Sequence, residues 1–220
     1  MTSDALDGTR TREWAGRFAE SVHATEAELT ELDQQAGDGD FGANLTAGVR
    51  AAGPLLDRVA ASAGPGEHLG ALATAFLDEV GGTSGPLFGL LFQALSRAAG
   101  SGPELTTGAL AEGAAEGLAA IRRVGDASPG DKTLVDALSP AADALRAAGD
   151  GPAADALAAA ADEAWRGVRE TASHAARMGR ASYLGERATG VPDPGAVGMA
   201  LFFASAAGTV RTLAPHLAGG

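Results

Sequence analysis

The chain has 220 residues, of which 45% are apolar, and carries 28 acidic against 16 basic side chains for a net charge of −12. That balance argues against nucleic acid as a partner, because phosphate backbones are bound by clustered Lys and Arg, and a phosphorylated small molecule would need help from a metal ion or from backbone N–H groups. The chain has no cysteine, which excludes disulfides, thiolate catalysis and Cys-ligated zinc.

The apolar set is mostly Ala and Leu with few aromatics, which favours packed helices over a sheet. The N-terminus "MTSDALDGTRTREW" is polar and charged and does not read as a secretory signal. In chain order, Trp14, Phe18, Val22, Leu29 and Leu32 predict a first helix running to Asp33. Further helices are expected over residues 43–62, 67–80, 86–99 and 103–121. Leu134, Ala137, Leu138, Ala141, Ala142 and Leu145 then form one helical face, with a possible kink at Pro140. Residues 153–178 carry Leu157, Ala161, Ala164, Val168 and Ala175 in a similar stripe, and a last helix is expected over 194–209.

Glycine- and proline-bearing separators such as "VGGTSG", "VGDASPGD" and "GVPDPG" punctuate these segments. No alternating strand, repeat or long linker is evident. The reading is one all-α domain over residues 1–220, built from roughly eight helices. The most apolar run, from Gly195 to Val210, is short for a membrane span of about 20 residues. A soluble cytoplasmic protein with no membrane partner is therefore expected.

Three loops carry chemistry. In "ELDQQAGDGDFGANL", Asp33, Asp38 and Asp40 crowd together with no Lys or Arg between Arg17 and Arg50. Crowded carboxylates raise one another's pKa unless a cation lies among them, and Mg²⁺ takes oxygen ligands of this kind, often shared with phosphates. A solvated acidic turn is the plain alternative. An EF-hand is excluded because, counting from Asp38, the sixth and twelfth positions are Ala43 and Val49.

In "GGTSGP", Thr83 or Ser84 suits an N-cap and Pro86 the first helical turn. Such a start is either an anion site or simply a well-capped helix. "PGDKT" is not a P-loop, since Asp131 separates the Gly from the Lys. Lys132, the only lysine, reads as an ion-paired or solvated charge. Arg180 and Arg187 read as surface arginines or phosphate contacts. His23, His68, His174 and His216 lack metal-ligand spacing and read as structural or exposed.

Taken together, "LDQQAGDGDFGANL", "GGTSGPLFG", "GDKTLVDAL" and "GRASYLGERATGVPDPGA" resemble, in this order, the motifs of the nucleotide-binding L subunit of dihydroxyacetone kinase. The resemblance spans nearly the whole chain. It implies an eight-helix antiparallel barrel with ADP or ATP at one end, held through two Mg²⁺ ions by Asp33, Asp38 and Asp40. It also implies that Phe41, Gly42, Ala43 and Asn44 lie beside the phosphates, with Thr83 and Ser84 as a helix-start phosphate contact. Gly125 and Leu134 would line adenine and ribose. Arg180 would close over the nucleotide and steady the transferring charge, with Asp193, Pro194 and Gly195 completing the cap.

The family often has histidine where this chain has Phe41, whose side chain neither donates a hydrogen bond nor ligates metal. Two outcomes fit that departure: an active subunit with altered nucleotide contacts, or a regulatory homologue with weakened catalysis. The resemblance further implies phosphoryl transfer to dihydroxyacetone or a related ketose held on a separate K subunit. Either ATP or a phosphotransferase-system protein would be the phosphoryl source.

Overall fold

The alanine- and leucine-rich stripes fold as helices. A computed structural model describes residues 6–178 and 188–218. Among the described residues, the chain opens with a two-residue strand β1 (Leu6–Asp7), followed by helices α1 (Gly8–Ala36), α2 (Phe41–Arg58), α3 (Pro65–Asp78) and α4 (Ser84–Ala99). Strand β2 (Glu104–Leu105) precedes α5 (Thr107–Gly125), α6 (Val135–Ala147), α7 (Ala153–Thr171), α8 (Pro194–Ala204) and a single turn, α9 (Ala214–Leu217).

Each long helix packs on the next, and α8 returns to α1. The result is a closed eight-helix ring. Close approach is achieved with small residues. A Cβ on Gly113 of α5 would lie 2.8 Å from the Leu95 Cα of α4, and one on Gly167 of α7 would collide with the Asp136 carbonyl of α6. Backbones this near forfeit side-chain area but gain dense van der Waals contact.

The interior is aromatic where α1, α3, α4 and α8 converge. Phe18, Phe76, Phe88, Phe92 and Phe202 are fully buried and meet in tilted and edge-to-face pairs, such as Phe76–Phe92 at 5.1 Å and Phe92–Phe202 at 4.9 Å. Trp14 stacks on Phe202 at 4.5 Å while its indole N–H donates to the Phe202 carbonyl at 2.8 Å. That bond satisfies the one polar atom a buried tryptophan brings with it. α8 is apolar all round, as a helix enclosed by neighbours should be.

Several helix limits differ from the sequence-based expectation. α2 starts at Phe41 rather than residue 43 and ends at Arg58 rather than 62, with Pro54 accommodated inside it. Residues 103–106 are not helical: Leu6 and Asp7 pair antiparallel with Leu105 and Glu104, and Thr106 caps α5 by accepting from the Ala109 N–H at 3.1 Å. Two residues per strand are too few for an alternating pattern to register. α7 stops at Thr171 rather than residue 178, and α8 at Ala204 rather than 209. In both cases turn-type bonds such as His174 N–H to the Thr171 carbonyl and Ala207 N–H to the Ala204 carbonyl replace the helical ladder. No helix of the described residues is long and apolar enough to cross a membrane.

Candidate functional site: an acidic cluster facing four helix N-termini

At one end of the ring the even-numbered helices begin and odd-numbered helices end, the polarity of an antiparallel barrel. The N-terminal turns of α2, α4, α6 and α8 and the C-terminal turns of α1 and α5 surround a cavity of about 200 Å³. Helix N-termini present unpaired N–H groups and the positive ends of their dipoles. The same mouth carries the acidic loop.

That loop is built from α1 outward. Asp33 lies in the last turn of α1, is 8% exposed, and accepts the Phe41 N–H at 2.9 Å. This bond ties the end of α1 to the start of α2. A Cβ on Gly37 would sit 2.3 Å from Asp33 Oδ1, so a side chain there would push this carboxylate out of its present place. Gly39 takes a φ of +80°, which favours glycine and folds Asp38 and Asp40 back toward Asp33. Asp40 occupies the N-cap position of α2 without capping it through its side chain. One oxygen from each of Asp33, Asp38 and Asp40 lies within 4.8 Å of the others. An all-carboxylate oxygen set this tight suits a hard divalent cation such as Mg²⁺.

Across the cavity, Gly82 (φ +75°) turns the chain into α4, with Thr83 at the N-cap position and Ser84 as the first helical residue. Thr83 makes no side-chain cap bond. Gly125 closes α5, and Asp126 follows it in the left-handed region. Leu134 stands at the N-cap position of α6. Asp193 caps α8 by accepting the Ala196 N–H at 2.7 Å, while its own N–H donates to Thr171 Oγ1 at 2.8 Å. A Cβ on Gly195 would stand 3.5 Å from the Leu134 Cβ, so the α6 and α8 starts are neighbours.

The cavity wall thus gathers Asp33, Asp38, Asp40, Phe41, Asn44, Thr83, Ser84, Gly125, Leu134, Asp193, Pro194 and Gly195. Gly42 and Ala43 are not on it. Gly42 faces α1, where a Cβ would collide with Thr30 Oγ1 and the Glu26 carbonyl, and Ala43 is exposed. Arg180 and Arg187 lie outside the described residues. The wall also includes Ala36, Leu87, Ile121, Ala127, Lys132, Thr133, Val135 and Met178, none of which the motif reading placed there. Ile121, Ala127, Val135 and Met178 give the cavity an apolar flank beside the end of α5 and the start of α6. An i, i+4 step back from Gly125 would have pointed to Ile121, but nothing local marks Met178.

Phe41 lines the floor with its ring turned into the core. It is 5% exposed, its ring centroid is 6.5 Å from that of Phe88, and a Cβ on Gly198 would come within 2.9 Å of its Cζ. Its tie to the acidic loop is its backbone N–H.

Lys132 corrects the sequence reading most sharply. It is neither solvated nor paired with Asp131; it is 1% exposed, and its ammonium donates to the Thr171 carbonyl at 2.6 Å and to the Val191 carbonyl. Asp131 instead accepts the Ser128 N–H and faces Arg177 at 3.6 Å. The surrounding loop is folded by Asp136, which accepts the Gly130 and Thr133 N–H groups at 2.5 and 2.7 Å. The histidines hold no site: His23 is exposed, His68 is buried, His174 stands 3.9 Å from Asp136, and His216 stacks on Trp165 at 4.5 Å.

Burial raises the Asp193 carboxyl from 3.8 to about 7, with the nearby Asp136 and Asp33 charges adding to it, against the Ala196 bond and Lys132. Burial likewise lowers Lys132, with Asp193 and Asp136 opposing. The Asp193 shift has a testable sign. Between pH 3.8 and 7 the unfolded chain releases this proton while the folded chain keeps it, so folding loses stability as pH rises through that window. Asp193→Asn keeps a capping oxygen but cannot ionise. In thermal melts without metal or nucleotide it should match the parent near pH 4 and exceed it above pH 7, at roughly 2–4 °C per kcal/mol. Equal melting temperatures at both ends of the range would contradict this assignment.

The fold and site define a helical-barrel domain with a cluster of three carboxylates set against helix N-termini. The DAK2 domain family matches residues 35–208, and the chain belongs to that family. It is 44% identical over 205 residues to the L-erythrulose 1-kinase of Mycolicibacterium smegmatis, covering 91% of this chain and 34% of that protein. It is 36% identical over 193 residues to the ADP-binding subunit DhaL of the PTS-dependent dihydroxyacetone kinase of Lactococcus lactis, covering 88% of this chain and 93% of the subunit. Among solved structures it resembles the C. freundii dihydroxyacetone kinase in complex with AMP-PNP and Mg²⁺, with a TM-score of 0.68 and 26% identity over 91% of this chain and 34% of that one. The chain therefore spans about a third of the erythrulose kinase and nearly all of the DhaL subunit.

Proposed function

We propose that this chain binds ADP or ATP with Mg²⁺ and supplies the phosphoryl group to a small ketose held on a K-type subunit or domain of a dihydroxyacetone kinase. The observation that carries the reading is the Asp33–Asp38–Asp40 cluster facing the N-termini of α2, α4, α6 and α8 across one cavity. Carboxylates alone would repel a diphosphate, and helix starts alone would not need carboxylates. A metal-bound phosphate satisfies both.

The three aspartates would hold two Mg²⁺ ions. When bound, the metal neutralises phosphate oxygens and lowers the charge barrier to transfer. The chain's own contribution is positional. The buried Asp33 is held by the Phe41 N–H, so its carboxylate is oriented before ligand arrives. Thr83 and Ser84 offer hydroxyls and free N–H groups at the start of α4, beside Asn44 of α2. Ile121, Leu134, Val135 and Met178 form an apolar slot of the kind that accepts a base. Arg180 is assigned the charge-steadying role by motif. Asp193, Pro194 and Gly195 close the cavity beside Leu134.

Similarity to erythrulose kinases and to a DhaL subunit supports a ketose as acceptor and a K-type partner. The name of the Lactococcus relative supports a phosphotransferase-system donor alongside ATP. A cytoplasmic location accords with that chemistry. The inward-facing ring of Phe41, which offers phosphate no donor, favours a second reading in which nucleotide binding controls a partner.

A thermal-shift titration tests the central claim. ADP and Mg²⁺ together should raise the melting temperature by about 5–10 °C at a hundredfold excess over Kd, and neither alone should do so. The purified chain should phosphorylate no ketose until a K-type partner is added. Turnover by the chain alone would overturn the division of labour, while tight association with a K-type partner without transfer would favour the regulatory reading.

A further inference from the structure

We propose that Lys132 is a positioning residue for the nucleotide cavity: its buried ammonium pins the end of α7 and the segment entering α8 to the loop before α6, holding two walls of the cavity in one arrangement. The inference rests on the nucleotide reading above and adds a residue to it.

Four observations carry it. Lys132 is the only lysine in the chain, yet it is among the largest fully buried side chains. Its ammonium donates to the carbonyls of Thr171, the last residue of α7, and Val191, two residues before the α8 cap. Both carbonyls lie where the helical ladder has stopped: that of Thr171 takes only the turn-type His174 N–H beside the ammonium, and that of Val191 precedes the α8 cap. Lys132 also holds a φ of +63°, a conformation that a non-glycine residue keeps only when its surroundings over-determine it.

The loop before α6 and the segment entering α8 line the cavity, and the α7 end is hydrogen-bonded to Asp193 of that lining. Lys132, Thr133 and Leu134 line it directly, and Val191 leads into Asp193, Pro194 and Gly195, which line it too. Thr171 ties the two segments together: its carbonyl accepts from Lys132 and its hydroxyl accepts from the Asp193 N–H. The α7 end and the α8 start are thus cross-linked through one residue that the ammonium holds. Lys132 is also the single basic residue on the described cavity wall, beside Asp33, Asp38, Asp40 and Asp193.

If nucleotide binds the pinned arrangement, loss of the pin lowers the competent fraction and the apparent affinity falls by the same factor. Lys132→Met removes both bonds and should weaken binding of ADP with Mg²⁺ by roughly 10-fold or more in calorimetry. Lys132→Gln retains N–H donors on a neutral head and should fall between Met and the parent. A side chain that merely stabilised the fold would lower the melting temperature without this graded change in affinity.

A second measurement needs no change at Lys132. With Arg50→Lys providing an exposed reference amine, trinitrobenzenesulfonate labelling followed by peptide mass mapping should modify Lys132 roughly 10-fold or more slowly than the introduced lysine. Adding ADP and Mg²⁺ should slow Lys132 further and leave the reference unchanged, because a ligand that selects the pinned state depletes the open one. Labelling of Lys132 at the reference rate, or at a rate indifferent to bound nucleotide, would overturn the proposal. So would unaltered affinity in Lys132→Met. Failure of the parent chain itself to bind ADP with Mg²⁺ would instead remove the nucleotide reading, and this inference with it.

Discussion

Asp38→Asn should abolish tight binding of ADP with Mg²⁺, weakening it by about a hundredfold, or roughly 2.7 kcal/mol, while leaving the nucleotide-free melting temperature nearly unchanged. The two halves of this expectation have separate causes. Asp38 is exposed, so the fold does not depend on burying it, and removing one of three like charges within 4.8 Å relieves repulsion. If the cluster holds a cation as proposed, the same removal takes one anionic oxygen ligand from it, and affinity for a hard divalent ion follows ligand charge and number. Isothermal calorimetry with and without Mg²⁺ reads the loss directly. Asp33→Asn is the less clean variant, since Asp33 also accepts the Phe41 N–H and holds the α1–α2 junction. Retention of parental affinity by Asp38→Asn would return the loop to an ordinary solvated acidic turn.

Phe41→His should destabilise the protein by about 2–3 kcal/mol without tightening nucleotide binding. Sequence comparison alone suggests the reverse, because a histidine beside the phosphates offers a donor that phenylalanine lacks. The packing decides otherwise. The Phe41 ring lies 6.5 Å from that of Phe88 and against the bare face of Gly198, where a Cβ would already be too close. An imidazole there loses apolar contact and buries polar nitrogens with no partner supplied. Denaturant unfolding of the nucleotide-free variant measures the first effect and calorimetry the second. A variant as stable as the parent that binds more tightly would show that this position turns toward the ligand after all.

Much of the architecture was legible from residue order. Trp14, Phe18 and Val22 announce α1, and the Leu134–Leu145 stripe announces α6, because helix periodicity is a local property written every three to four residues. The acidic loop was partly readable: glycines between the aspartates mark a turn, but spacing alone left a cation site and a solvated acidic turn both open. The helix ends were less so. α7 and α8 stop short of their apolar stripes because the turns that end them are decided by which neighbours complete the last carbonyls. The two-residue pairing of Leu6–Asp7 with Glu104–Leu105 joins segments nearly a hundred positions apart, and no local pattern encodes it.

By itself, the sequence determined that the chain is helical, where most helices begin, and that Asp33, Asp38 and Asp40 fall in one short glycine-bearing stretch. Those are consequences of spacing and backbone freedom, and they hold before any long-range contact forms. Only the tertiary structure decided that four helix N-termini face the acidic cluster, that the Phe41 ring belongs to the core, and that Lys132 directs its ammonium to two backbone carbonyls. Each of these depends on which surfaces meet when the ring of helices closes. A charge or an aromatic ring carries no mark in the sequence of which side it will face.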